Sequence, residues 1–259
     1  MLYHVHVALP EDHELAEELA TQAGQFVQAW RTEQKAGGAS VRELQDGGDS
    51  AAHDFIVAKI SECRPHDLVL SEEDLHAPAS AGLRHQADRV WIVDPVDGTH
   101  EFGHSRPDWA VHIALVEDHQ PTAAAVAVPD QGFTRSTAQQ LRVPTLSDSP
   151  RFVSSRSRPP RFTYDLVRHL RGELLSIGSA GAKAMAIVEG NADAYVHAGG
   201  QYEWDSAAPV GVARHAGLHC SRIDGSPLVY NQEDPYLPDL LICHPDLAEP
   251  ILTWLEQYG

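Results

Sequence analysis

The sequence predicts an α/β protein with an α+β N-terminal half and an α/β C-terminal half. In the N-terminal half, two helical patterns precede short apolar runs that end at acidic residues, as buried strands often do. Beyond residue 150, strand-like and helix-like segments alternate, which is typical of layered α/β folds. A turn-rich segment at 144–150 (PTLSDSP) lies between the two halves. We therefore predict domains over residues 1–146 and 147–259.

Two helices are predicted near the N-terminus. Residues 11–32 carry apolar side chains at helical spacing, and acidic residues at their start favour the positive end of a helix. Residues 33–48 are polar and glycine-rich, which predicts a loop that ends at Gly47-Gly48. A second helix is expected to begin near Asp49, and its apolar face would consist of Ala52, Phe55, Ile56, Ile60 and Cys63.

Two strands are then expected to end at acidic residues. The apolar run at 67–70 is followed by Ser-Glu-Glu-Asp, and the run at 90–93 is followed by Asp-Pro-Val-Asp-Gly-Thr. Pro95 is expected to stop the second strand, and Gly98 permits a tight turn close to a ligand. The other predicted strands are 109–115, 123–128, 152–153, 173–177, 193–197, 218–222 and 239–243. The other predicted helices are 161–171, 179–189, 205–216 and 246–258.

Composition excludes several classes of protein. Of the 259 residues, 42% are hydrophobic and 22% are charged, which is typical of a folded chain. The chain has 19 basic and 37 acidic residues, and its net charge of −18 would repel a nucleic-acid polymer. The sequence contains no run of about 20 apolar residues, which a membrane-spanning helix would need, and no export signal is visible. We therefore expect a cytoplasmic protein. The three cysteines are widely spaced and are expected to be buried apolar groups.

The acidic residues at the strand ends form the most informative pattern. Asp94 and Asp97 lie three residues apart on a turn, which lets both carboxylates reach one small volume. Oxygen ligands of this kind bind Mg²⁺. Glu72 follows the preceding strand, and Asp205 begins a predicted helix far downstream. Taken singly, these residues have ordinary roles as turn residues, a solvated strand end or a helix N-cap, but together they predict a metal site.

Three motifs in order resemble those of the inositol monophosphatase superfamily of lithium-sensitive, Mg²⁺-dependent phosphatases. They are residues 71–74 (SEED), 91–99 (WIVDPVDGT) and 204–208 (WDSAA). The resemblance extends through nearly the whole chain and implies a layered α-β-α-β-α sugar-phosphatase-type architecture.

Within the superfamily, the sequence is most similar to the bacterial 3′(2′),5′-bisphosphate nucleotidases of sulfate assimilation. The segments 70–74 (LSEED) and 97–102 (DGTHEF) nearly match theirs, and 153–158 (VSSRSR) and 176–179 (SIGS) resemble theirs. Inositol-type members usually have glycine before the glutamate pair.

Three departures from this pattern leave the expected metal ligands unchanged. His100 replaces a basic residue, Arg158 stands where a histidine is common, and residues 45–48 before Asp49 differ from the usual segment. The positions that differ are those expected to affect a third metal position and the recognition of the nucleotide.

The resemblance implies a set of site residues. Two or three Mg²⁺ ions would be held by Glu72, Asp94, the Val96 carbonyl, Asp97 and Asp205. Water would be oriented and deprotonated by Thr99 with Asp49 or Glu72. Substrate contacts are implied for Val96, Asp97, Gly98, Thr99, Ser157, Arg158, Gly178, Ser179, Lys183 and Asp205. Arg156 and Arg158 are either solvated loop charges or partners for a second phosphate, and Lys183 is either a surface lysine or a phosphate contact.

The implied function is hydrolysis of the 3′-phosphate of adenosine 3′,5′-bisphosphate, with 3′-phosphoadenylyl sulfate as a further substrate. A small phosphorylated molecule is therefore the expected binding partner. The sequence is compatible with a homodimer but does not decide the oligomeric state. One alternative is an inositol-1-phosphate or fructose-1,6-bisphosphate phosphatase, although residues 198–200 (AGG) lie where inositol-type members have an acidic residue. Another is a catalytically inactive metal or nucleotide sensor. The histidines, including His4 and His6, form no HExxH motif and do not predict catalytic zinc.

Overall fold

A computed structural model describes residues 8–73 and 84–259, with layers in the order helix, sheet, helix, sheet, helix. The helices of the described ranges are α1 (Pro10–Ala36), α2 (Val41–Cys63), α3 (Thr99–Gly103), α4 (Thr163–His169), α5 (Ala180–Val188), α6 (Glu203–His215) and α7 (Pro245–Tyr258). The strands are β1 (Leu68–Ser71), β2 (Arg89–Asp97), β3 (Ala110–Glu117), β4 (Gln120–Val128), β5 (Phe133–Ser136), β6 (Arg151–Ser155), β7 (Glu173–Ile177), β8 (Ala194–Tyr202), β9 (His219–Ser221) and β10 (Tyr236–Cys243). The predicted α/β class and the α-β-α-β-α layering are confirmed.

The first sheet has the strand order β1-β2-β3-β4-β5. Strands β1 and β2 are parallel, with Ser71 opposite Val93, and the other neighbours pair antiparallel. Because β1 and β2 run in the same direction, the acidic residues at their carboxyl ends lie at one edge of the sheet. That edge is where ligands commonly bind to α/β sheets.

The second sheet has the order β7-β6-β8-β10-β9. Strand β6 is parallel to β7 and to β8, whereas β10 is antiparallel to β8 and to β9. The pairing of β8 with β10 sets Tyr202 opposite Tyr236, and its register is interrupted between Leu237 and Asp239. Two residues distant in sequence thereby meet just before α6.

Three apolar clusters fill the spaces between the layers. One face of the first sheet, including Trp91 and Ile113, packs against α1 and α2. Its other face packs against α5 and α6, and this middle cluster also includes Tyr195 of the second sheet. The outer face of the second sheet packs against α4 and α7, where Trp254 lies. The middle layer therefore connects the two sheets.

The second helix begins at Val41 rather than near Asp49, so most of the loop predicted over 33–48 is wrong. Ser40 caps this helix: its hydroxyl accepts from Glu43 N at 3.3 Å, and the Glu43 carboxylate accepts from Ser40 N at 2.8 Å. This reciprocal capping box satisfies amides that the first helical turn leaves without partners. The sequence Ser-x-x-Glu at 40–43 was therefore the overlooked start signal.

Gly47 and Gly48 lie inside α2 because neighbouring aromatic rings leave no room for a larger residue. A β-carbon at Gly47 would lie 2.7 Å from the Trp30 ring, and one at Gly48 would lie 2.5 Å from the Phe102 ring. Glycine inside a helix lowers stability by about 1 kcal/mol relative to alanine. At these two positions only glycine lets the aromatic rings pack this closely against the helix. Glycine composition alone therefore gave a misleading loop prediction.

Strand β2 does not end at Pro95, as the sequence predicted, but continues to Asp97. Its pairing with β3 is irregular between Asp94 and Asp97, where proline has no amide hydrogen to donate. Such an irregularity bends a strand and is frequent beside active sites. Here it separates the two aspartates of the predicted metal site.

Several smaller expectations also differ from the structure. Strand β5 was not predicted, and β8 extends beyond the predicted end at residue 197. Cys243 is buried and Cys220 is half-buried, but the expectation of burial is wrong for the exposed Cys63. His4, His6 and Asp74 lie outside the described residues. In the described ranges, each helix is too short or too polar to cross a bilayer.

Candidate active site

A cavity of about 550 Å³ opens where β1 and β2 end. Its walls also include the starts of α3, α5 and α6 and the end of β8. Strand ends bring carboxylates to this cavity, and helix starts bring the positive ends of helix dipoles. The predicted site residues that line it are Glu72, Asp97, Gly98, Thr99, Ser157, Arg158, Gly178, Ser179, Lys183 and Asp205.

Asp94, Asp97 and Asp205 bring carboxylate oxygens to within 4.8 Å of one another. The first two are buried in β2, and the third lies in the first turn of α6, where Tyr202 N donates to its Oδ2 at 2.6 Å. Carboxylates this close repel one another unless protons or a cation offset their charge. An all-oxygen donor set of this kind fits a hard divalent cation such as Mg²⁺.

Glu72 and Asp49 lie beside this cluster. Burial, together with Asp205 and Asp97, raises the pKa of Glu72 to about 7. Burial and the neighbouring Glu72 raise the pKa of Asp49 to about 8, and Asp49 Oδ1 is buried without a hydrogen-bond partner among the described residues. These two carboxyl groups therefore gain and lose protons near neutral pH.

The other two aspartates of the cluster are also poor acids. Burial raises the pKa of Asp94 well above its usual value, and Glu72 and Asp97 add to the shift. Burial and Asp97 raise the pKa of Asp205 to about 6. Groups this close titrate as a set, and a bound cation would displace their protons.

Asp97 behaves differently because basic groups surround it. Burial opposes its ionisation, but His112 Nε2 lies 3.0 Å from Oδ2, and the amides of Ala180 and Gly181 donate to Asp97 at 3.1 and 2.6 Å. These contacts lower the pKa of Asp97 below its ordinary value. Asp97 is therefore the carboxylate that stays charged without metal.

His112 was missed in the sequence. It is fully buried, and its Nδ1 lies 2.9 Å from the carbonyl oxygen of Trp204. Burial opposes its charging, yet Asp97 raises the pKa of His112. The available signal was its position in the strand predicted at 109–115, on the face opposite the alternating apolar residues. His112 links β2, β3 and α6.

Gly98 is required by the turn between β2 and α3. Its φ is +85°, and a β-carbon there would lie 2.8 Å from the Ser179 β-carbon. The amides that follow this turn lie in the first turn of α3, where they have no partner within the helix. By contrast, Gly178 N already donates to Asp108 at 2.6 Å, and Ala182 N donates to Ser179 Oγ at 2.9 Å.

Lys183 is buried in the wall of the cavity, so the alternative of a surface lysine is wrong. Its Nζ donates to the carbonyls of Gly178 and Ser179 at 2.7 and 2.8 Å and lies 5.1 Å from the centre of the Tyr195 ring. Burial lowers the pKa of Lys183 to about 8, although nearby Asp97 opposes that shift. An ammonium group has three hydrogens, so one donor is available to a ligand.

The two arginines after β6 have different surroundings. The Arg156 guanidinium donates to Glu101 at 2.8 Å and to Asp108 at 2.6 Å, which argues against a phosphate role. The exposed Arg158 lines the cavity, and its guanidinium has no ion pair among the described residues. Ser155 Oγ accepts from Arg158 N at 3.2 Å and lies 3.5 Å from Ser157 Oγ. Arg158 is thus the accessible guanidinium.

An aromatic rim at the mouth of the cavity, which we define as Tyr202 and Tyr236, was also missed. The Tyr202 ring stacks on Trp204 with centroids 4.7 Å apart and planes 9° apart, and it meets Tyr236 edge-on at 6.0 Å and 81°. Between Tyr202 and Gly200, the Gln201 side chain is buried, and neither its oxygen nor its nitrogen has a hydrogen-bond partner among the described residues. A buried amide left in this state costs about 1–3 kcal/mol.

The chain resembles known proteins over nearly its full length. Residues 9–258 match the profile of the inositol monophosphatase family. A 3′-phosphoadenosine 5′-phosphate phosphatase of Mycobacterium leprae is 46% identical over 255 residues, which cover 93% of this chain and 92% of that protein. The 3′(2′),5′-bisphosphate nucleotidase CysQ of Escherichia coli is 32% identical over 202 residues, covering 73% of this chain and 80% of that protein.

A solved structure has the same architecture. The crystal structure of CysQ from Bacteroides thetaiotaomicron, a bacterial member of the inositol monophosphatase family, superposes with a TM-score of 0.75. The superposition covers 91% of this chain and 98% of that chain at 26% sequence identity. The motifs, the layers and the acidic cluster therefore agree with one assignment.

Proposed function

Because the chain belongs to the inositol monophosphatase family, we propose that it is a Mg²⁺-dependent phosphatase that converts adenosine 3′,5′-bisphosphate and water to AMP and phosphate. The observation that carries this proposal is the cluster of Asp94, Asp97 and Asp205 beside a cavity that also contains Lys183 and Arg158. The names of the relatives support a nucleotide bisphosphate as the substrate. The related 3′-phosphoadenylyl sulfate is a second proposed substrate. The unpaired cysteines suit the reducing cytoplasm, and we assign the activity to that compartment.

Two or three Mg²⁺ ions would be held by the side chains of Glu72, Asp94, Asp97 and Asp205 and by the Val96 carbonyl. When bound, such ions polarise a phosphoryl group and lower the pKa of water. The residues fit this role because the carboxylates of Asp94, Asp97 and Asp205 converge. The pKa values of about 7 for Glu72 and about 6 for Asp205 let a cation displace their protons near neutral pH. The Val96 carbonyl already accepts from Thr99 Oγ1 at 3.2 Å and has a second lone pair for a further partner.

Asp49, Glu72 and Thr99 would orient and deprotonate the attacking water. The pKa values of about 8 for Asp49 and about 7 for Glu72 are close to neutral pH, as a group that takes up and releases a proton requires. The Thr99 hydroxyl donates to Val96 O at 3.2 Å, which fixes its position at the end of β2. Thr99 therefore acts as the positioning group and a carboxylate as the base.

Amides and cations would hold the phosphoryl group that is transferred to water. The amides of Gly98, which precedes α3, and of Thr99, its first residue, have no partner within the helix. They are suited to oxygens whose negative charge increases in the transition state. Lys183 has one free donor in the same cavity. Its ammonium group, together with Ser179 and Gly178, would contact the substrate in this cavity.

The second phosphate of the substrate would contact Arg158 and Ser157. Arg158 lacks a carboxylate partner among the described residues, unlike Arg156, and a guanidinium matches the geometry of a phosphate. This arrangement favours a bisphosphate over a monophosphate.

The residues that line the cavity give less support to the alternative of an inositol-1-phosphate or fructose-1,6-bisphosphate phosphatase. Gly199 and Gly200 line the cavity without offering a carboxylate to sugar hydroxyls. A catalytically inactive sensor of metal or nucleotide is the alternative from another functional class, and the complete set of carboxylates argues against it.

A phosphate-release panel tests the proposed function. Purified protein with Mg²⁺ is given adenosine 3′,5′-bisphosphate, inositol 1-phosphate or fructose 1,6-bisphosphate, with Asp205→Asn as the inactive control. We expect the highest kcat/KM for the nucleotide and little release by the control. Equal or faster turnover of either sugar phosphate contradicts the substrate assignment, and no turnover of any substrate favours the sensor.

A further inference from the structure

An HExxH motif at α3 was missed in the sequence. Residues 100–104 read His-Glu-Phe-Gly-His, so the expectation that the histidines form no such motif is wrong. The motif covers most of α3 and the residue that follows it, and it has no part in the proposed phosphatase chemistry. Two histidines four residues apart lie on one face of a helix, where they can bind one transition-metal ion.

The two imidazole rings of this motif lie side by side at the edge of the cavity. Their centroids are 4.2 Å apart, and their planes differ by 32°. Both residues are exposed, with 59% of the His100 side chain open to solvent, and His100 also lines the cavity. A small ion can therefore reach both rings without any rearrangement of the core.

Each ring is held by its Nδ1 atom, which leaves Nε2 free. His104 Nδ1 lies 2.8 Å from the His100 carbonyl oxygen, and because a carbonyl only accepts, this nitrogen carries the hydrogen. His100 Nδ1 faces Glu101 Oε1 at 3.5 Å, which favours a hydrogen on the same atom of that ring. Neither Nε2 has a hydrogen-bond partner among the described residues. Metal-binding histidines have this arrangement, in which Nδ1 faces a carbonyl or carboxylate and the Nε2 lone pair faces the ion.

Glu101 does not supply the general base that the glutamate of an HExxH motif provides in metalloproteases. Its carboxylate accepts from Arg156 Nη1 at 2.8 Å and lies 3.5 Å from Arg106 Nη1, and the residue is buried. The two guanidinium groups occupy this carboxylate. The motif therefore offers two metal ligands and no base.

A second pair of histidines has the same spacing but different surroundings. His215 and His219 are also four residues apart, but α6 ends at His215 and the chain turns into β9. Their Nε2 atoms lie 2.8 Å from Gln139 O and 2.9 Å from Ser221 Oγ. Spacing alone therefore does not free the nitrogen atoms, and this pair provides an internal control.

We infer that the Nε2 atoms of His100 and His104 form a Zn²⁺ site at the entrance of the cavity, separate from the acidic cluster. Imidazole suits Zn²⁺, whereas Mg²⁺ prefers oxygen ligands, so the two sites select different ions. Zn²⁺ usually has four ligands, which leaves two positions for water or for a phosphate oxygen of a molecule that enters the cavity. The inference does not depend on the proposed function.

The test needs a protein in which other strong Zn²⁺ ligands are removed or filled. The acidic cluster is saturated with Mg²⁺. The background carries Cys63→Ser, because this cysteine is an exposed thiol, and His4→Gln with His6→Gln, because these residues are another closely spaced pair of histidines.

Isothermal titration with Zn²⁺ then compares single variants in this background. His100→Gln and His104→Gln each remove one ligand from an exposed position, and His215→Gln is the matched control. We expect one Zn²⁺ per chain in the background protein. Each of the first two variants should weaken its binding about tenfold or more, and the control should keep the background affinity.

Competition with Mg²⁺ separates this site from the acidic cluster. The Zn²⁺ affinity of the background protein should stay unchanged when Mg²⁺ is raised from a saturating concentration to a large excess. The inference is overturned if the background protein binds no Zn²⁺ or if Mg²⁺ displaces it. Equal affinities of His100→Gln, His104→Gln and His215→Gln also overturn it. These outcomes are independent of phosphate release, which tests the proposed function.

Discussion

The stability of the metal-free protein should fall as pH rises, because its acidic cluster holds protons that the unfolded chain releases. The folded pKa values of Asp49, Glu72 and Asp205 are raised to about 8, 7 and 6, and that of Asp94 is raised well above normal. A carboxyl group whose pKa is raised by folding contributes stability that is complete below its unfolded pKa. This contribution is lost as pH rises through its folded pKa.

The size of the effect follows from the number of protons retained. Each carboxyl group protonated only in the folded state changes the free energy of unfolding by about 1.4 kcal/mol per pH unit. Three histidines, His13, His197 and His219, have lowered pKa values in the folded protein and oppose this trend below about pH 6.5. Because the four carboxyl groups titrate as a set, we count two retained protons between about pH 6.5 and 7.5, which gives about 3 kcal/mol per pH unit. For a chain of this size, that corresponds to a fall in Tm of roughly 6–12 °C per unit.

Thermal melts in EDTA measure this slope directly. The pH range stops below the folded pKa of Lys183, about 8, because that group acts in the opposite direction at higher pH. Asp49→Asn removes one buried carboxyl group, so its slope should be smaller by about 1.4 kcal/mol per unit. Asp54→Asn, at an exposed position in the same helix, is the matched control and should keep the wild-type slope. With excess Mg²⁺, the slope should flatten or reverse, because the metal binds the deprotonated carboxylates.

Two results would refute this reasoning. One is a Tm in EDTA that stays level or rises between these pH values. The other is an identical slope in Asp49→Asn and Asp54→Asn, which would mean that the carboxyl group of Asp49 is already ionised in the folded protein.

Three further predictions concern single groups of the site. Asp97→Asn should melt several degrees earlier in EDTA, because the buried His112 loses the carboxylate that it faces. Its turnover in a phosphate-release assay should fall about 10²-fold or more. A variant that melts early but stays fully active would contradict the metal role of Asp97. Gly181→Ala should be destabilised by about 1–3 kcal/mol in urea unfolding, because its β-carbon runs into the His112 ring, and an unchanged unfolding midpoint would contradict that packing. Li⁺ should inhibit phosphate release where Na⁺ and K⁺ at equal ionic strength do not, and equal effects of the three salts would count against the metal assignment.

The acidic cluster was predictable because strand ends deliver residues to one place. An apolar run followed by acidic residues occurs twice, and parallel pairing of β1 with β2 brings both acidic segments to one sheet edge. The layered architecture followed from three motifs in a family-like order. The structure brings Asp94, Asp97 and Asp205 together, as the sequence predicted.

Other features depend on tertiary neighbours that the sequence does not reveal. Gly47 and Gly48 suggest a loop until the Trp30 and Phe102 rings that pack against them are known. Arg156 resembles a free phosphate ligand until its pairing with Glu101 and Asp108 is seen.

The aromatic rim and His112 illustrate the same limit at the site itself. Tyr202 and Tyr236 meet only because β8 pairs with β10, and no local spacing relates them. His112 was visible as the polar residue of an apolar strand, but its charge depends on its contact with Asp97. Contacts between distant segments therefore had to be observed.

Hydrolysis in oxygen-18 water tests most directly whether this site directs water to the 3′-phosphate of a nucleotide. Adenosine 3′,5′-bisphosphate is converted in labelled water with Mg²⁺, and the products are analysed by mass spectrometry and phosphorus NMR. We expect one labelled oxygen in inorganic phosphate, unlabelled AMP that retains its 5′-phosphate, and no conversion by Asp205→Asn. Label in the 3′-hydroxyl of the nucleotide, or release of the 5′-phosphate instead, would contradict the account.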